Sequence, residues 1–232
     1  MNRTITIGAC WDGRDFYSAE YVNRLYRACL RNTTIPFDFV LYIGPSAEGR
    51  RHEIDPAIRI VQTGLPYWWS GFMFWKNDPP GINTETVLYL DLDQVIVGGL
   101  DDLINFPSEQ AYMTGYPRHA CPPGMERLTC VSTSLLRNGA GRKVWDEYVA
   151  LGKPQWDPWN PPTGRLLPIG CQSIIDDPAH GMKYDLFPEE WVASYKLQIL
   201  KKGMPHDCRV VAFHGRPKQH EVPDDFVKEH WI

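Results

Sequence analysis

Apolar positions in the first half of the chain fall into short continuous runs and one helically spaced stretch. Thr4 to Trp11 is a run of β-formers closed by the turn pair Asp12-Gly13, and it predicts a strand. Tyr21, Val22, Leu25, Tyr26, Cys29 and Leu30 then recur at the helical period, with Arg24, Arg27 and Arg31 on the other side and Ser18 placed as a cap. Phe37 to Ile43, closed by Gly44-Pro45, predicts a second strand, and Ile58 to Val61 a third after a polar loop. Strand, helix, strand, strand is an α/β opening.

Trp68 to Trp75 is too aromatic for its period to be read, and its length before Asp78-Pro79-Pro80-Gly81 predicts a short helix. Val87-Leu88-Tyr89-Leu90 is continuously apolar, the pattern of a strand buried on both faces, and it delivers Asp91-Leu92-Asp93 at its C-terminal end. Further strands are predicted at Ala111–Tyr116, Cys130–Leu136, Lys183–Phe187 and Arg209–His214, and a helix at Gly141–Ala150. Lys153 to Pro168 carries five prolines and two tryptophans and reads as a long ordered loop. With no internal repeat or low-complexity tract, the 232 residues suit one domain over 1–232.

Composition narrows the class. Hydrophobic residues at 43% and charged residues at 22% exclude a disordered, collagen-like or coiled-coil chain. Nine Trp, 11 Tyr and 9 Phe, beside 20 Pro and 19 Gly, describe loops carrying flat side chains, which suits a pocket for a ring-bearing ligand as well as ordinary core packing. A net charge of −4 gives no overall attraction for nucleic acid or anionic membrane and leaves a local patch open. The six cysteines are scattered without a C-x-x-C pair, as buried thiols of a reducing compartment are. The N-terminal apolar stretch is short for a signal peptide and no run approaches the ~20 residues of a membrane span, so the expected location is cytoplasmic.

The candidate chemistry is the carboxylate pair. Residues i and i+2 of an extended segment share a face, so Asp91 and Asp93 can act together where the strand leaves its sheet. Two adjacent carboxylates resist joint ionisation unless a cation lies between them, which points to Mn²⁺ or Mg²⁺; the plainer reading is a solvated turn. Two enzyme classes use such a pair. In haloacid-dehalogenase-like phosphatases the first Asp is the nucleophile and the second the general acid. In metal-dependent glycosyltransferases with the GT-A fold, D-x-D holds the metal that bridges a nucleotide sugar's diphosphate.

Val87 to Leu103 (VLYLDLDQVIVGGLDDL) resembles, throughout, the apolar strand, D-x-D, short strand and "DL" element of family-8, glycogenin-like glycosyltransferases. Asp12 to Leu30 is similar to their opening after the first strand, and Phe213-His214-Gly215-Arg216-Pro217-Lys218 to their C-terminal H-x-x-G-x-x-K element. The resemblance implies a GT-A (Rossmann-like) mixed sheet flanked by helices. It also implies a sugar moved from a nucleotide-diphosphate donor, a UDP-sugar first among them, to a hydroxyl acceptor with retention at the anomeric carbon.

Carried over position by position, the resemblance makes Asp91, Asp93 and His214 metal ligands and sets Lys218 and Gly215 at the diphosphate. Ala9, Cys10, Trp11, Asp12, Tyr17 and Leu92 would contact the donor, and Gln172 would act beside Asp93 in catalysis. Read as residues alone, His214 can be a hydrogen-bonded turn histidine, Lys218 a surface lysine, Asp12 a turn former and Tyr17 a packed aromatic. The sequence departs from the family at Ala212, where its histidine usually stands, at Cys171 before Gln172 in place of Asp, at Gly71 in place of Lys, and at Cys130 to Ser134 in place of an N-S-G or N-A-G turn. A phosphohydrolase built on Asp91 and Asp93, and a nucleotide-sugar-binding protein with a decayed site, are the rival readings.

Overall fold

The computed structural model describes residues 4–14, 16–115, 129–153 and 170–232. The first strand, β1 (Ile5–Trp11), leads through a turn into α1 (Ala19–Asn32), then β2 (Phe37–Ile43), a 3₁₀ segment (Pro45–Glu53) and β3 (Arg59–Gln62). A second 3₁₀ segment, Tyr67–Trp75, precedes β4 (Thr86–Leu90), β5 (Gln94–Ile96) and the single turn α2 (Asp101–Ile104). Next come β6 (Gln110–Thr114), β7 (Thr129–Arg137), α3 (Arg142–Ala150), α4 (Cys171–Asp176), β8 (Asp185–Leu186) and β9 (Val192–Ser194). A π turn, Tyr195–Ile199, runs into α5 (Leu200–Lys202), and β10 (Val210–Ala212) and α6 (Asp225–His230) complete the elements.

Seven strands form one mixed sheet in the order β3-β2-β1-β4-β7-β6-β8, and β5-β10-β9 form a small second sheet. β1 lies parallel between β2 and β4, with Ile7 opposite Phe39 and Leu88, whereas β7 runs antiparallel to β4 with Thr133 opposite Leu90. The two-faced burial read in β4 is realised: Leu88 and Leu90 join the apolar cluster under α1, while Val87 and Tyr89 join the aromatic cluster of Trp69, Phe72, Trp75 and Tyr148. Burying one such side chain is worth about 1.5–3 kcal/mol, so a strand packed on both faces is a rigid support for the two aspartates at its end.

Several expectations need correction. Ser18 occupies the N-cap position of α1 but its side chain makes no capping hydrogen bond. Leu30 is 52% exposed: Ala28 and Cys29 close the buried face of α1, and Leu30 sits a helical step round it in the last turn. The segment Tyr67–Trp75 is a 3₁₀ helix, its i+3 bonds running from Trp69 N to Pro66 O and from Lys76 N to Met73 O. The strand expected over 183–187 contracts to Asp185–Leu186, and that over 209–214 to Val210–Ala212. Tyr116, the loop from 154 to 168 and Cys121 lie outside the described residues. No helix among the described residues is long and apolar enough to cross a membrane.

The two sheets meet at the Asp-Leu-Asp segment. Asp91 is still tied to the large sheet, its N–H donating to Ser132 O (2.8 Å). Asp93 belongs to the small one: its carbonyl accepts from Phe213 N (2.8 Å), continuing the β5–β10 ladder in which Gln94 faces Ala212. One residue, Leu92, spans the change, buried and accepting at its carbonyl from Gln219 Nε2 (3.0 Å).

Candidate active site

A cavity of about 220 Å³ opens at the exit of β4. Asp91, Asp93, His214 and Gln172 all line it, together with Tyr89, Gly71 and Cys171. Residues far apart in sequence thus share one space, brought there by the end of β4, the segment after β10 and the start of α4.

Asp91 Oδ1 accepts from Tyr89 OH at 2.5 Å. Burial, with the charge of Asp93 adding to it, pushes the Asp91 carboxyl up to about 7, against the lowering effect of the Tyr89 hydrogen bond and the Lys218 charge. Tyr89 itself is held far above its ordinary range by burial and by the Asp91 charge. Its part in the site went unread in the sequence, although the alternation that pairs Asp91 with Asp93 puts Tyr89 on the same face.

Asp93 is the more heavily supported carboxylate. Its Oδ2 accepts from Lys218 Nζ (2.5 Å) and from Tyr17 OH (2.9 Å). Lys218 is 2% exposed and also donates to Phe213 O (2.9 Å), so it is a buried cation with two assigned bonds rather than a surface lysine. Its ammonium lies 5.0 Å from the Tyr17 ring centroid and 5.4 Å from that of Phe16, which adds cation–π attraction. Tyr17 therefore reaches the site through its hydroxyl, and burial beside Asp93 raises its pKa strongly.

The rest of the opening is more structural. Ala9 and Trp11 are buried in the core under α1, leaving only their backbone for a ligand. Trp11 Nε1 donates to Tyr17 O (2.7 Å) and so holds the Tyr17 segment in place. Asp12 accepts from Arg14 N (3.1 Å) and Arg14 Nε (2.6 Å), the role of a turn former with an ion pair. Cys10 Sγ lies 3.4 Å from Tyr89 OH, and burial lifts its thiol to about 12.

Gln172 stands in the first turn of α4, behind Gly170, whose φ of +73° and closeness to the Trp68 ring (2.9 Å from where a Cβ would lie) leave no room for a side chain. Cys171 is buried with its thiol raised well above the ordinary value, hence protonated. Thr133 Oγ1 accepts from Gln94 Nε2 (2.7 Å) and serves the sheet. At Gly71, a Cβ would come 3.2 Å from Cys10 Sγ and 3.4 Å from Tyr89 OH, so a side chain there asks these neighbours to give by a few tenths of an ångström.

Gly215 has φ +70° and faces Lys196 Nζ. His214 Nε2 pairs with Ser194 Oγ at 2.7 Å, a partner that the sequence did not signal.

The donor set suits a hard divalent cation: Asp91 Oδ2 and Asp93 Oδ1 make no hydrogen bond among the described residues, and both residues face the cavity. Among the described residues, however, no three His, Cys, Asp or Glu side chains converge as a ready-made metal cluster. His214 thus shares the cavity with the aspartates without closing a triad around a point.

No protein-family model matches the sequence, and no curated protein matches it. Solved structures do match. An active-site mutant of LgtC is similar over 97% of this chain and 93% of its own, with a TM-score of 0.64 and 12% identity. The galactosyltransferase LgtC in complex with donor and acceptor sugar analogues gives 0.59 at 14% identity, over 93% of this chain and 89% of its own. The glycosyltransferase GlyE of Streptococcus pneumoniae gives 0.57 at 13% identity, over 94% of this chain and 56% of its own. These neighbours are GT-A glycosyltransferases, LgtC of family 8; at 12–14% identity the likeness is one of fold, and the phosphatase architecture is not favoured. The mixed sheet with its flanking helices is the GT-A glycosyltransferase fold.

Proposed function

We propose that the protein is a metal-dependent glycosyltransferase that moves a sugar from a nucleotide-diphosphate donor, a UDP-sugar first among the candidates, to a hydroxyl acceptor with retention. The observation that carries the reading is the meeting of Asp91, Asp93, His214 and Gln172 in one cavity at a sheet edge of a GT-A fold.

Asp91 and Asp93 would hold Mn²⁺ or Mg²⁺, and His214, which lines the same cavity with its Nε2 paired to Ser194 Oγ, would be the further ligand. When bound, the metal supplies Lewis-acid charge against the diphosphate leaving group. Lys218, buried against the Asp93 carboxylate, would bring its positive charge to the diphosphate side through that aspartate, and the backbone around Ala9, Cys10, Trp11, Asp12 and Leu92 would border the donor, as would Gly215. Such fixed charges commonly contribute ~10²–10³ in rate each. Gln172 reaches the sugar side. Burial keeps the Cys130 and Cys171 thiols protonated, which argues against a covalent cysteinyl intermediate; with retention, departure and attack on one face of the sugar is then the working route. A single catalytic domain over 1–232 in the cytoplasm is part of the same reading.

Against a phosphohydrolase, the would-be general acid Asp93 is an ionic partner of Lys218, and the fold neighbours are glycosyltransferases. The test is incubation with Mn²⁺ and a panel of nucleotide sugars. Slow release of nucleoside diphosphate that Asp93→Ala abolishes supports the transferase. Phosphate release from simple esters would sink it, and donor binding with no turnover for any acceptor would leave a binding protein.

A further inference from the structure

Three of the seven exposed large hydrophobic side chains among the described residues fall within eight positions: Leu197 (37% exposed), Leu200 (60%) and Met204 (38%). They sit on the π turn, on α5 and just beyond it, in a segment that also carries Lys196, Lys201 and Lys202 and no acidic residue from Tyr195 to Met204. In a chain of net charge −4 this is a locally cationic, apolar projection. None of the three lysines makes an ion pair or hydrogen bond among the described residues; Lys201 and Lys202 are exposed and can meet a partner, while Lys196 is half-buried against Gly215.

The projection is anchored beside the cavity. Ser194, at its start, accepts from Leu197 N (3.2 Å) and bonds His214 Nε2 (2.7 Å). Lys196 Nζ lies 2.8 Å from the position a Cβ on Gly215 would take.

We propose that the segment Tyr195–Met204 docks on an anionic lipid surface, the leucines and methionine entering the interface and the lysines meeting acidic headgroups. Leucine and lysine side chains side by side match that environment, since lysine can lay its aliphatic stem among the chains and keep its ammonium at the headgroups. Through the bond from Ser194 to His214, the docked segment would hold the cavity close to the membrane surface.

The test is co-sedimentation of the full chain with vesicles of phosphatidylcholine alone or mixed with phosphatidylglycerol. Binding to the mixed vesicles at low ionic strength is expected, at least about tenfold weaker on neutral vesicles or in high salt. Leu200→Glu, and separately Lys201→Glu with Lys202→Glu, should each weaken it by about tenfold or more while circular dichroism stays unchanged, because all three residues are exposed. No binding to mixed vesicles at low salt, or binding untouched by Leu200→Glu, overturns the proposal. Concentration-dependent self-association lost in Leu200→Glu, without vesicle binding, also overturns it and assigns the patch to a second copy of the chain. These outcomes do not depend on transferase activity.

Discussion

The ammonium of Lys218 lies 2.5 Å from Oδ2 of Asp93, across 125 positions of sequence, and neither side chain is more than 12% exposed. A buried pair of this kind is costly to break on one side only, because the survivor keeps its charge without a partner. Lys218→Met should therefore lower stability in urea denaturation by about 3–5 kcal/mol, and the double variant with Asp93→Asn by clearly less. If the two single changes simply add, the pair is not coupled as described.

Asp91 predicts a pH dependence of the metal-free protein. Its pKa is raised from 3.8 to about 7 on folding, so the folded state keeps a proton that the unfolded chain has lost. The resulting stability is complete below about pH 4, declines as pH rises and is gone above about 7. Thermal unfolding in chelator should show this decline, Asp91→Asn should flatten it, and added Mn²⁺ should reverse it by binding the deprotonated pair.

Gly170 precedes α4 at φ +73° and abuts the Trp68 ring. Gly170→Ala meets both backbone strain and a steric clash, and should cost about 1–3 kcal/mol with a change in tryptophan fluorescence. An unperturbed melting temperature would show that the ring moves aside freely.

Neighbouring Cys171 and Gln172 should behave oppositely in donor turnover. Cys171→Ala removes a protonated thiol and should leave the rate within about threefold. Gln172→Ala should lower it by roughly 10² while donor affinity, measured by calorimetry, stays near that of the parent. A dead Cys171→Ala would reopen a covalent route.

What was legible in the sequence is what contiguous residues encode. β1, β2 and β4 are largely buried runs, and their limits lie within a residue of the apolar stretches. Asp91 and Asp93 were legible because one strand exit carries both. The helix at Tyr67–Trp75 was legible from its length, though not its 3₁₀ type, and the 3₁₀ segment Pro45–Glu53 was not, since a polar stretch has no apolar period of its own. Nor were the contacts of Tyr17 with Asp93, Ser194 with His214 or Gln219 with Leu92, which depend on how β5 and β10 pair rather than on spacing. Trp11 illustrates the limit from the other side: it sits at the predicted place, but its ring is core.

The closeness of Cys10 to Gly71 sets an order in which this site can change through mutation. Any side chain gained at Gly71 first meets Cys10 Sγ at 3.2 Å, so Gly71→Lys is strained while the thiol remains. Cys10→Ala relieves that contact and costs only a buried thiol. A lineage in which Cys10→Ala comes first therefore meets less resistance at Gly71→Lys than one that takes the steps in the other order, with Tyr89 OH at 3.4 Å the contact that remains in both.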